Sequence, residues 1–359
     1  MRRSNLARAL AVAVSGVLLG ACASGSLDKT GRARNRKAGP IRVGLSLDTL
    51  KEERWQFDRD IFASHAKELG ADVLIRSANG DDSVQTDQAE GLLNDQDVDV
   101  LVVIPHNAQT CASIVRAARQ KNVPVISYDR LILDSEPDLY ISFDNVKVGE
   151  LEATYLLERA PRGNYIIMGG PPTDNNAQLL RQGQMKALRP ALDSGAVKIA
   201  ADLWARDWQP QDALEKTEAA LARSPDIAAV VASNDVVAGA VVQALEEQKL
   251  AGKVLVSGQD ADLAACQRIV AGTQTMTVYK PINKLARRAA EAAVGLARGE
   301  KTEATGFINN GKIDVPSIML DPITVDKNNV VLTVINDGYQ TLQDVYRYLP
   351  LDQWPRLPR

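Results

Sequence analysis

Arg, Asp, Asn, Lys and Trp recur in this sequence just beyond the ends of short apolar runs. Glu53-Arg54-Trp55 follows the run Ile41–Ser46, and Tyr128-Asp129-Arg130 closes Val123–Tyr128. Asp174-Asn175-Asn176 comes after Ile166–Gly170, and Trp204 and Trp208 lie at and beyond the end of Val197–Leu203. Asn234-Asp235 follows Ile227–Ala232, Gln259-Asp260 follows Lys253–Ser257, and Lys280 follows Thr275–Val278. These residue types suit a polyol. Each hydroxyl both donates and accepts, so carboxylates and amides can accept or bridge while Arg and Lys donate charge-assisted bonds. An indole packs flat on an apolar C–H face and excludes water. Taken singly, each residue has a plainer reading. Asn234 and Asp235 can cap the helix that follows them, Trp55 can belong to a core, and Arg54 can be a solvated charge. Recurrence at seven successive run ends favours a shared ligand.

The runs are placed by a repeating scheme with a period near 25–30 residues. Ile41–Ser46, Asp72–Ser77, Val98–Ile104, Val123–Tyr128 and Leu139–Phe143 read as strands. Amphipathic stretches lie between them, such as Arg54–Leu69, where Ile61, Phe62, Ala66 and Leu69 share a face. The scheme resumes with strands at Asn164–Met168, Val197–Leu203, Ile227–Ala232, Lys253–Ser257 and Thr275–Val278. Continuous Val/Ile/Leu runs joined by helices predict parallel sheets covered on both faces. No motif recurs at fixed spacing, so two Rossmann-like α/β lobes fit better than a solenoid or one barrel. Open parallel sheets bind ligands beyond the carboxyl ends of their strands, where the polar residues cluster.

A chain of 359 residues with 45% hydrophobic and 24% charged residues has material for two soluble domains. Its net charge is −3, and the first 21 residues carry three Arg and no acid, leaving −6 for the rest. A mildly acidic body gives no reason to expect nucleic acid as partner. Residues 1–22 read as a targeting signal: Arg2, Arg3 and Arg8 precede the 11-residue apolar stretch Ala9–Leu19. That stretch is too short to span a bilayer core of about 30 Å as a helix. It ends in Leu19-Gly20-Ala21-Cys22, the pattern of a lipobox whose Cys22 is acylated; the plainer alternative is an ordinary signal peptide cleaved nearby. Residues 23–40 carry Gly, Ser, Pro and five basic residues. They read as a flexible tether with an end-to-end distance of roughly 23 Å. Beyond it, Cys111 and Cys266 are expected as buried free thiols.

Enzyme signatures are absent from the sequence: there is no G-x-S-x-G elbow, no G-x-G-x-x-G after a strand and no P-loop. His65 and His106, the only histidines, have no partner cluster in sequence and read as surface or helix-packing residues. Asp326-Lys327-Asn328 lacks the Gly and distal Glu of a calcium loop and reads as a turn. Neither metal nor cofactor is expected.

The segments VGLSLDTLKEERWQFDRDIF, SANGDDSVQ, PVISYDR, YISFDNVKVGE, MGGPPTDNNAQLLRQGQMKALRP, VVASNDVVAGA, SGQDADLAA and GTQTMTVYKP resemble the D-xylose-binding proteins of ABC import systems, within the ribose- and galactose-type periplasmic binding proteins. The resemblance runs from about Ile41 to Asp337. It implies a type I periplasmic binding protein in which two lobes, joined by three hinge strands, close on one pyranose. The implied sugar contacts are Arg54, Trp55, Asp129, Arg130, Asn176, Trp208, Asn234, Asp260 and Lys280. The implied division is a first lobe of residues 41–145 and 281–305 and a second of 146–280 and 306–340; residues 341–359 lie outside the resemblance and read as a tail, with Trp354 in surface or tail packing. The implied partners are a monosaccharide, D-xylose foremost, the permease of an ABC transporter, and a membrane reached through lipid on Cys22. The protein is expected to be a monomer. A sugar-responsive repressor on the same fold is excluded by the export signal and the missing helix-turn-helix. A tethered sensor serving a chemoreceptor or histidine kinase stays open as the alternative.

Overall fold

A computed structural model describes residues 39–355. The expectations for the signal, Cys22 and residues 23–38 of the tether lie outside the described residues.

Seven strands form the first sheet: Ile41–Leu47 (β1), Ala71–Ser77 (β2), Val100–Ile104 (β3), Val125–Tyr128 (β4), Leu139–Phe143 (β5), and, from far along the chain, Gly306–Asn309 (β11) and Asp314–Leu320 (β12). Their order is β11-β12-β5-β4-β3-β1-β2, parallel except for the β11–β12 hairpin. Every residue of β3, β4 and β5 is buried, which is why these strands read as unbroken apolar runs. The helices Glu53–Glu68 (α1), Asp82–Asn94 (α2), Ala112–Gln120 (α3) and Ile282–Ala297 (α9) cover this sheet.

The second lobe is built on Gly163–Gly169 (β6), Val197–Trp204 (β7), Ile227–Ala232 (β8) and Leu255–Val256 (β9), parallel in the order β7-β6-β8-β9. Thr277–Tyr279 (β10) and Ile323–Val325 (β13) pair antiparallel beside it, and Val278 bridges to Gln259. Its helices are Asn145–Arg159 (α4), Asn175–Asp193 (α5), Pro210–Arg223 (α6), Asp235–Glu247 (α7), Leu263–Ala271 (α8) and Leu342–Val345 (α10). The chain passes between lobes three times: from β5 into α4, from β10 into α9, and from β12 into β13.

One boundary differs from the division the resemblance implied. Residues 306–320 belong to the first lobe, because β12 pairs with β5 in register Ser317 to Tyr140; the crossing falls at Asp321-Pro322. Pro316 inside β12 and the turn at Gly311 mask the strand pattern in sequence, since proline cannot donate to a ladder. The tail segment 341–355 packs against the second lobe. Val345 and Tyr346 are buried with Cys266, Tyr279 and Val334, and Trp354 packs 6.1 Å from the Tyr346 ring.

Candidate functional site

All nine residues named above line one cavity between the lobes, which is partly open to solvent. Glu52, Asp174, Leu180 and Gln259 complete its wall. From the first lobe, the N-cap and first turn of α1 supply Glu52, Arg54 and Trp55, and the end of β4 supplies Asp129 and Arg130. From the second, the start of α5 supplies Asp174 and Asn176, the end of β8 Asn234, the loop after β9 Gln259 and Asp260, and the end of β10 Lys280. Trp208 lies in the single turn Arg206–Trp208 after β7.

Three wall residues sit in left-handed backbone: Asp129 at φ 61°, Trp208 at φ 57° and Asp260 at φ 101°. For residues with a Cβ this conformation costs free energy and persists only where the surroundings enforce it. The enforcement is visible at Asp129, whose carbonyl accepts from Tyr140 Oη (3.1 Å), Ser142 Oγ (2.5 Å) and Asn176 Nδ2 (3.2 Å). At Trp208, a side chain on Gly170 would strike the indole ring, so a glycine is needed beneath it. The indole Nε1–H donates to Asp174 Oδ2 at 3.1 Å.

Charge is closely matched inside the cavity. Arg54, 2% exposed, reaches Asp129 at 2.8 Å, Asp260 at 3.2 Å and Asp58 at 3.2 Å. Arg130 meets Asp48 at 2.6 Å within its own lobe and Asp174 at 2.9 Å across the cleft. Lys280 lies 3.0 Å from Asp260. Both guanidinium groups lie against Trp55, at 4.1 and 5.3 Å from the ring centroid. Burial would raise the Asp129 carboxyl, but Arg54, Lys280 and Arg130 outweigh it and hold the group below its ordinary value. Burial raises Glu52 and Asp174 despite the pull of Arg130, and raises Asp58 to about 6. Three cations therefore face four acids, two of which hold their protons more tightly than usual. Such a wall offers many donors and acceptors and little net charge, which fits a neutral polyhydroxylated ligand better than an ion.

Asn234 serves both purposes weighed for it: Oδ1 caps α7 by accepting from Val237 N at 2.9 Å, and the residue also lines the cavity. Several other strand-end residues do not face the ligand space. Trp204 stacks on Arg181, and Asp235 turns inward to accept from Gln274 Nε2 (2.8 Å) and Thr277 Oγ1 (2.9 Å). Sequence reasoning missed Glu52 and Leu180, and left Asp174 and Gln259 among the strand-end residues without making them contacts. Asp174 had a signal, since an Asp before a helix start caps it, here accepting from Asn176 N at 2.8 Å. His106 is not merely a surface residue. Its Nδ1 lies 2.9 Å from Asp48, and that hydrogen bond raises its pKa. It thus backs the carboxylate that holds Arg130. His65 faces Glu68 and Glu291 on the outer side of α1. Cys111 and Cys266 are free and buried, and Asp326 forms a turn, accepting from Asn328 N at 2.7 Å. Among the described residues no cluster of His, Cys, Asp or Glu suits a metal ion.

Two parallel-sheet lobes, three crossings and a polar cleft at the strand ends define a bilobed solute-binding protein. The chain belongs to the periplasmic binding proteins, whose domain model matches residues 43–301. It is 52% identical over 307 residues to the D-xylose-binding periplasmic protein of Haemophilus influenzae, covering 85% of this chain and 92% of that one. It is 53% identical over 303 residues to the D-xylose-binding periplasmic protein of Escherichia coli, covering 84% and 92%. Among solved structures, a carbohydrate transporter solute-binding protein from Chloroflexus aurantiacus in complex with D-glucose superposes with a TM-score of 0.80. The identity there is 32%, covering 84% of this chain and 97% of that one. This is a family of binding proteins rather than enzymes. The protein is an extracytoplasmic sugar-binding protein of the transport type.

Proposed function

We propose that this protein captures D-xylose between its lobes and delivers it to the permease of an ABC transporter, held at the membrane by lipid on Cys22. The observation that carries the sugar reading is the convergence of Arg54, Trp55, Asp129, Arg130, Asn176, Trp208, Asn234, Asp260 and Lys280 on one nearly charge-balanced cavity. These nine are the proposed sugar contacts. Identities of 52% and 53% to proteins named for D-xylose support the pentose. The family supports the reading of delivery to a permease, and the Leu19–Cys22 sequence motivates that of a lipid anchor. Calorimetric titration against a panel of pentoses and hexoses tests the ligand: xylose should bind most tightly, and preference for another sugar would overturn that choice.

A further inference from the structure

A second contact joins the lobes outside the sugar cavity. Glu53 lies in the first turn of α1, on the first lobe, beside Arg54 but not in the cavity wall. Its Oε2 accepts from the backbone N–H of Leu263 at 3.0 Å, and its Oε1 from Gln340 Nε2 at 3.3 Å. Both donors belong to the second lobe. Leu263 is the first residue of α8, whose N-cap residue Asp262 makes no side-chain cap bond of its own. The free N–H groups and dipole of that helix end favour an anion, and the other lobe supplies one. One turn further along α1, Phe57 packs edge-on against Tyr339 at 5.1 Å between centroids.

We propose that Glu53 sets the affinity of this protein from outside the cavity, as a latch that caps helix α8 of the opposite lobe when the cleft is shut. It is a positioning residue, and the inference rests on the two-lobe sugar-binding reading. A ligand that binds only the closed form has its affinity scaled by the closed fraction. Since Glu53 lies outside the cavity wall, losing it should weaken every accepted sugar by one common factor. A cavity residue would instead change the ranking of sugars.

The test uses Glu53→Ala and Glu53→Gln in the full-length protein. Two bonds to a charged acceptor, partly replaced by water on opening, predict about a tenfold loss for Ala. The amide keeps one accepting oxygen, so Gln should lose roughly threefold. Dissociation constants for xylose and the next-best sugar should rise together, with their ratio unchanged and with faster dissociation. The melting temperature of the sugar-free protein should stay that of the wild type. A sugar-independent arm follows the rate of disulfide trapping between Ala108→Cys and Thr173→Cys, which face each other across the cleft where Ala108 N donates to the Thr173 carbonyl at 3.2 Å. That rate, measured without sugar, should fall by the same factor in Glu53→Ala. Unchanged affinity, a loss confined to one sugar, a matching drop in sugar-free stability, or unaltered trapping would each overturn the latch. If the wild type bound no sugar at all, the sugar reading would fail while the trapping rate still decided the role of Glu53.

Discussion

Replacing Arg130 with Ala removes a side chain that is 5% exposed and tied to both lobes. Within the first lobe it holds Asp48 at 2.6 Å and donates to the Pro105 carbonyl at 3.1 Å; across the cleft it holds Asp174 at 2.9 Å. Asp48 keeps His106 as a second partner, so the open protein should tolerate the loss. Asp174 keeps Trp208 Nε1 and Asn176 N, but among the described residues Arg130 is the one cation within ion-pair distance of it. The penalty therefore falls mainly on the closed, liganded state. Charge-assisted bonds of this kind contribute about 1.5–3 kcal/mol each, so a net loss of roughly 2–4 kcal/mol is expected. That corresponds to ~30–1,000-fold in affinity. Arg130→Lys keeps the charge but cannot span Asp48 and Asp174 with one rigid fork, and should fall between the two. Titration calorimetry on both variants, with melting curves of the sugar-free proteins, measures affinity and folding separately. Unchanged xylose affinity in Arg130→Ala would remove this residue from the site, and a collapse of sugar-free stability would show that its role is structural.

Trp208→Ala should weaken xylose through lost stacking and narrow its advantage over glucose, because the indole no longer crowds the position of the extra hydroxymethyl group; an equally large preference in both proteins would refute this. The Asp58 carboxyl, raised to about 6, binds its proton more tightly folded than unfolded. Its contribution to stability is present in full below about pH 4 and lost as pH rises through 6. Melting curves from pH 4 to pH 7 should lose that component of slope in Asp58→Asn, and an unchanged slope would contradict the assignment. Cys22→Ala should release the protein from membranes, and its retention at high salt would refute the lipid anchor.

The candidate site was legible because the cavity-lining residues sit near strand ends, and strands buried on both faces announce themselves as Val/Ile/Leu runs. β4, VISY, and β8, IAAVVA, are fully or almost fully buried apolar runs, so Tyr128-Asp129-Arg130 and Asn234 could be placed without coordinates. The same logic failed where burial is one-sided or the run is interrupted. β11 alternates half-buried and exposed residues, and β12 contains Pro316; neither resembles the buried strands, and residues 306–320 were assigned to the wrong lobe. Glu52 was missed for another reason. It precedes a helix and reads as part of an ordinary acidic first turn, and only the approach of Asp260 and Arg130 makes it part of a wall. Asp48 and His106 were likewise invisible, because what they do depends on Arg130, which lies far from both in the chain.

The late arrival of β12 and α9 has a consequence for how the polypeptide can be made. A ribosome that has synthesised β1 to β5 has produced only part of the first lobe, since one covering helix and the hairpin beside β5 are still more than a hundred residues away. The second lobe's four-stranded sheet, by contrast, is contiguous from Gly163 to Val256 and can assemble while the rest is being added. Long-range pairing of this kind is slow, because closing the loop costs entropy before any contact forms. A chain stopped near residue 300 should therefore hold the four-stranded sheet of the second lobe, still without β13 and α10, beside an unfinished first lobe with β5 as a bare edge. For a protein destined to work outside the cytoplasm, that delay keeps the nascent chain pliable for as long as its synthesis lasts.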